Sequence, residues 1–174
     1  LKRPLLMGIV NVTPDSFSDG GQHADASSAI AHAQQLVAEG ADIIDIGGES
    51  TRPGAAPVSI QEELARILPV IAALRDSGAA ISVDTCKPEV MQTVLEAGAD
   101  IINDVTGMRA AEAQRIVAAH PSCGVCLMHM QGEPRTMQQA PHYQNVVREV
   151  KAALVAQIVA LFALTLPTET NLRH

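Results

Sequence analysis

Short apolar runs alternate with longer amphipathic stretches along most of this chain. Residues 5–10 form a run of strand length. Residues 26–39 repeat their apolar positions at helical spacing and stop at Gly40, which suits the left-handed exit of a helix. The alternation then continues with a strand over 42–46, a helix over 60–75, a strand over 81–84 and a helix over 88–97 with Pro88 in its first turn. A strand over 101–104, a helix over 110–119, a strand over 123–129 and a long helix over 143–162 complete it. Gly40-Ala-Asp-Ile-Ile-Asp45 returns as Gly98-Ala-Asp-Ile-Ile-Asn103, an offset of 58 residues that fits two strand–helix units. Such alternation implies right-handed crossovers and a parallel sheet.

Doubly wound sheets and (β/α)8 barrels share that pattern, and the polar residues separate them. Asn11, Asp45, Asp84, Asn103 and His129 each stand at or just past the C-terminal end of a predicted strand. A ring of strand-end groups is how a barrel builds its site. A doubly wound sheet gathers its ligand groups at one switch point instead, and neither a G-x-G-x-x-G nor a Walker A sequence is present. The expected fold class is therefore α/β, a (β/α)8 TIM barrel. A whole barrel takes about 250 residues, so five units read as its first five-eighths. Residues 1–163 are expected to form this partial barrel domain and residues 164–174 a divergent tail.

Composition narrows the function classes. The chain is 47% hydrophobic but 2% aromatic, with no Trp, so aliphatic side chains must fill the core. A net charge of −7 argues against nucleic acid or an anionic membrane as partner. No apolar run approaches the roughly 18 residues of a membrane span, and no secretory signal is read at the start, so a cytoplasmic location is expected. Cys123-Gly-Val-Cys126 matches C-x-x-C, but residues three apart on a strand face opposite sides, so these thiols are expected to stay unpaired and to pack as core cysteines.

Two loops are chemically dense. Asn11-Val-Thr-Pro-Asp-Ser-Phe-Ser-Asp-Gly-Gly21 and Gly47-Gly-Glu-Ser-Thr-Arg-Pro-Gly54 crowd hydroxyls, carboxylates and glycines into stretches longer than a turn requires. Gly20, Gly21, Gly47, Gly48 and Gly54 suggest hinges for two mobile lids. Read on their residue types alone, Asn11 is either a ligand or a turn cap, Asp84 either a binding group or the N-cap of the next helix, and Met128 either a ring-packing or a plain core side chain. Asp45 suits pairing with a neighbouring strand-end group, and His129 a structural hydrogen bond.

These loops resemble the two signatures of the dihydropteroate synthase family, pterin-binding barrels. Ser82-Val-Asp-Thr85, Ile102-Asn-Asp104 and Cys126-Leu-Met-His-Met-Gln-Gly132 match the same family in the same order, over roughly residues 4 to 162. The resemblance implies a folate-synthesis transferase, the sulfonamide target. Such an enzyme joins p-aminobenzoate to 6-hydroxymethyl-7,8-dihydropterin diphosphate and releases pyrophosphate. It implies Mg²⁺ as cofactor, with Asn11 as the metal-binding residue, and Asp84 and Asn103 as readers of the pterin ring. It further implies Thr51 and Arg52 at the diphosphate, Asp19 ordering the closed first loop, Phe17 and Pro53 as walls for the aminobenzoate, and Met128 on the pterin face. The implied partners are these small molecules and a second copy in a homodimer.

The family's Asp-Pro-Gly-Phe-Gly, Ser-Arg-Lys and Arg-x-His segments do not occur in these 174 residues. A second reading is therefore a truncated, catalytically inactive pterin-binding fragment. A third is a methyltetrahydrofolate-dependent methyltransferase, which shares the cleft Asp and Asn but has no use for the Ser-Thr-Arg-Pro loop.

Overall fold

The computed structural model describes residues 3–13, 21–50, 56–134 and 136–165, with the side chains of 21–25 and 165 outside that description. Ten elements alternate strictly: β1 Met7–Asn11, α1 Gly21–Ala38, β2 Ile43–Gly47, α2 Ile60–Leu74, β3 Ala80–Asp84, α3 Pro88–Ala97, β4 Ile101–Asp104, α4 Ala111–Ala118, β5 Gly124–Leu127 and α5 Val146–Thr165. The strands form one parallel sheet in the order β1-β2-β3-β4-β5. Sequential order without reversal is the winding of a barrel, not of a doubly wound sheet.

Period-two alternation puts the aliphatic core on one side of the sheet. Val10, Ile44, Ile46, Ile81, Val83 and Ile102 are buried against Ile67, Ile71 and Leu74 of α2 and Val90, Met91 and Val94 of α3. The alternate positions face the other, concave side. That side is polar toward the strand ends and apolar at β1, where Ile9 remains 61% exposed.

The internal repeat is a structural repeat. Gly40 and Gly98 both take positive φ, 101° and 107°, at a helix exit. Asp42 and Asp100 each present a carboxylate oxygen 2.8 Å from a strand-start amide, that of Leu6 and that of Ile81. The same sequence therefore performs the same join twice.

Three elements start two or more residues from where they were expected. β1 starts at Met7 rather than residue 5 and runs through Asn11, because Asn11 is the last residue in register with β2. Helix α1 begins at Gly21, five residues early. Helix α5 begins at Val146 rather than 143, because Asn145 caps it: its side chain accepts from the Arg148 amide at 3.0 Å and its own amide donates to Glu149 at 2.7 Å. Most of α5 is exposed, including Val147, Val159 and Phe162. No helix among the described residues is long and apolar enough to cross a membrane.

Candidate active site at the strand ends

The strand register lines up the candidate residues. Asn11 pairs with Gly47, Gly47 with Asp84, Asp84 with Asn103, and Asn103 with Cys126, so the five form one row across the C-terminal edge of the sheet. Residues in one row share a face, here the concave one.

Gly47 shapes that row. A Cβ built on it would stand 3.4 Å from Asn11 Oδ1 and 3.8 Å from Asp84 Cβ. The missing side chain therefore leaves a gap of about one methyl group between an amide oxygen and a carboxylate. Gly47 and Gly48 each have a packing reason to be glycine, apart from the hinge role expected for them. Gly47 is a buried strand residue, and a Cβ on Gly48 would meet Ile67 Cγ2 at 2.8 Å and Glu63 O at 3.2 Å. Close approach to α2 is what that position demands.

One layer below, Asp45 organises the row. Its carboxylate is buried, accepts from Ser82 Oγ at 2.6 Å and from Asn103 Nδ2 at 3.0 Å. Donation of that Nδ2 turns the Asn103 amide and leaves its oxygen for a ligand's N–H. The pairing of Asp45 with a neighbouring strand-end group is as expected. That its partner is the equivalent residue of the internal repeat was not foreseen.

Asp84 is half-buried and, among the described residues, accepts no hydrogen bond. It does not cap α3; Lys87 holds that position, and its amide donates to Thr85 Oγ1 at 3.3 Å. Burial and the surrounding carboxylates of Asp45, Asp104, Glu63 and Glu49 push the Asp84 carboxyl up to about 7. A ligand bringing two N–H donors to such a group supplies the solvation it lacks.

The neighbouring loops are fixed by networks that the sequence expectations did not include. Asp104 is fully buried and accepts from the Thr106 amide and hydroxyl and from the Met108 amide, each at 2.8 Å, which holds Met108 at φ 57°. An Asp with Thr two residues on is an Asx-turn signal that was readable. Glu49, Glu63 and Lys87 form an ion cluster at the base of the second loop. Burial lowers the Lys87 ammonium's pKa, but hydrogen bonds to Glu49 and Glu63 outweigh this and hold it above its ordinary value.

At β5, His129 Nε2 lies 3.1 Å from the Tyr143 hydroxyl, the structural role expected for it. Met128 is half-buried just past the strand. The cysteines are free, but the core assignment fails for Cys126, which is exposed in the concave row. Cys123 is half-buried against the core, and burial pushes its thiol up. Opposite facing, which separates the two thiols, also sends one of them outward. Phe17, Asp19, Thr51, Arg52 and Pro53 lie outside the described residues.

Comparison with known proteins adds four findings. The family model for pterin binding enzymes matches residues 7–170. Dihydropteroate synthase of Escherichia coli K12 is 52% identical over 159 residues, which cover 91% of this chain and 56% of that protein. Among solved structures, Xanthomonas albilineans dihydropteroate synthase with 4-aminobenzoic acid superposes with a TM-score of 0.84 at 51% identity, over 95% of this chain and 58% of that one. Burkholderia cenocepacia dihydropteroate synthase complexed with 7,8-dihydropteroate gives 0.82 at 46% identity, over 95% and 56%. The chain thus spans a little over half the length of the relatives it matches.

Proposed function

The chain belongs to the pterin binding enzyme family, and from that premise we propose that it serves as a dihydropteroate synthase. The amine nitrogen of p-aminobenzoate forms a bond to the pterin methylene, the bond from that carbon to the diphosphate oxygen breaks, and pyrophosphate leaves as the amine gives up a proton. The observation that carries the reading is the row Asn11, Gly47, Asp84 and Asn103, with its gap at Gly47.

Each member has a task in that reaction. The Asp84 carboxylate accepts from two N–H groups of the amino-pyrimidine edge, and the Asn103 oxygen, turned outward by Asp45, accepts a third. The resemblance assigns Thr51 and Arg52 to the diphosphate, a hydroxyl and a guanidinium being suited to phosphate oxygens. It assigns Asp19 to ordering the first loop and Phe17 and Pro53 to flanking the aminobenzoate.

Mg²⁺ fits the residues present. No cluster of three or more His, Cys, Asp or Glu suited to a metal occurs among the described residues. Mg²⁺ nonetheless needs only one or two protein oxygens when phosphate and water complete its shell. Asn11 offers one, exposed beside the Gly47 gap. Bound there, the ion would neutralise charge on the departing diphosphate.

The test is dihydropteroate formation by the purified chain with both substrates and Mg²⁺. Asn11→Ala should lower kcat through the leaving group, and Asp84→Ala should raise the KM for the pterin. Product formation indifferent to both changes would refute the assignment.

A further inference from the structure

We propose that Lys87 is a positioning residue that holds the stems of the β2–α2 loop in place. Its importance for catalysis rests on the reading above, in which that loop meets the diphosphate. The inference about the stems stands on geometry alone.

The loop leaves β2 through Gly48 and Glu49 and rejoins the described chain before α2. Glu49 closes it: one carboxylate oxygen accepts from the Val58 amide at 3.1 Å, nine residues on. Its other oxygen binds Lys87 Nζ, which also binds Glu63 Oε2. Glu63 lies on α2 and is fully buried, and among the described residues its other oxygen has no hydrogen-bond partner. A buried carboxylate with a single cation for company cannot give that cation up cheaply, so Lys87 is held on it and Glu49 is held on Lys87. The entry stem has a further tie, Arg66 Nη1 donating to Gly48 O at 2.7 Å. Glu49 thus joins the loop's two ends, and Lys87 fixes that join to the floor of α2.

Lys87 also stands three residues after Asp84. Its amide donates to Thr85 Oγ1, and the Thr85 amide donates to Asn103 O at 3.1 Å. One residue therefore links the base of the β2–α2 loop to the strand ends that carry Asp84 and Asn103. A surface ion pair would have no such reach; this one has a buried carboxylate at its root and a loop closure at its tip.

Removing Lys87 alone strands Glu63 and risks the whole fold. The informative variant is Lys87→Met/Glu63→Leu, which removes the buried charge together with its partner. Per-residue amide exchange should then show the Val58 amide exchanging at least roughly tenfold faster while the β3 and α3 amides and the melting temperature stay near the parent's. Lys87→Arg, which keeps the cation, should retain most of the Val58 protection. Unchanged Val58 exchange in the double variant would overturn the proposal whatever the enzyme assay reads. If Val58 loosens, the KM for the pterin diphosphate should rise roughly tenfold more than that for p-aminobenzoate; equal effects on both would overturn the link to the diphosphate. Absence of turnover in the parent chain would instead count against the synthase reading, with the stem proposal still decided by the exchange data.

Discussion

Replacing Asp84 with Asn should stabilise the chain at alkaline pH while removing its pterin affinity. The amide keeps the side chain's size and deletes its charge. In the folded chain burial and four neighbouring carboxylates push the Asp84 carboxyl from its ordinary 3.8 up to about 7. A group whose folded pKa is raised favours the fold below its unfolded pKa, and that contribution is lost as pH climbs through the folded value. For Asp84 the loss runs from about pH 4 to just above pH 7. Its ceiling is roughly 4 kcal/mol, and partial exposure with water screening reduces it to on the order of 1–2 kcal/mol. Thermal melts of parent and Asp84→Asn should therefore coincide near pH 4 and separate by pH 8, with the variant about 2–8 °C higher. Pterin binding by the parent should weaken roughly tenfold from pH 8 to pH 6, because the protonated carboxyl must give up its proton to accept two N–H groups. A gap in melting temperature that does not change with pH, or an Asn variant that melts lower at pH 8, would refute the account of Asp84.

Gly48→Ala should lower the melting temperature by roughly 3–10 °C, because its Cβ would press on Ile67 and on the Glu63 carbonyl oxygen, which cannot swing aside; an unchanged melt would show that the loop base yields freely. Gly47→Ala should leave the melt unchanged or slightly raised, since its Cβ contacts are ordinary and Ala is the stiffer residue. The added methyl group should still weaken pterin binding roughly tenfold in a calorimetric titration, by filling the gap between Asn11 and Asp84.

Much of this was legible in the sequence because it depends on local periods. Short apolar runs between amphipathic stretches located all five strands, and the strand-end polar residues Asn11, Asp84 and Asn103 fell into one register row because parallel pairing of equivalent βα units leaves little freedom of offset. The Gly-Ala-Asp repeat was read as an offset of two strand–helix units, and its two copies make the same join. What could not be read depends on contacts between distant segments. Glu63 looks like an ordinary first-turn carboxylate of an amphipathic helix, yet it is buried beneath Lys87, which is 24 residues away. Gly48 was expected as a hinge, and the close approach of Ile67 that also demands glycine there was not visible. Cys126 looks like a core residue in an apolar run, but the alternation of β5 puts it in the concave row, where it is exposed. The start of α5 was misplaced because apolar periodicity continues upstream of the Asn145 cap, and only the cap sets the boundary.

The most direct test of the central claim is calorimetric titration of 6-hydroxymethyl-7,8-dihydropterin into the purified chain and into Asp84→Ala and Asn103→Ala. The account predicts saturable binding at one site, weakened at least roughly tenfold by either substitution. Absence of binding to the parent chain, or equal affinity in all three proteins, would contradict it.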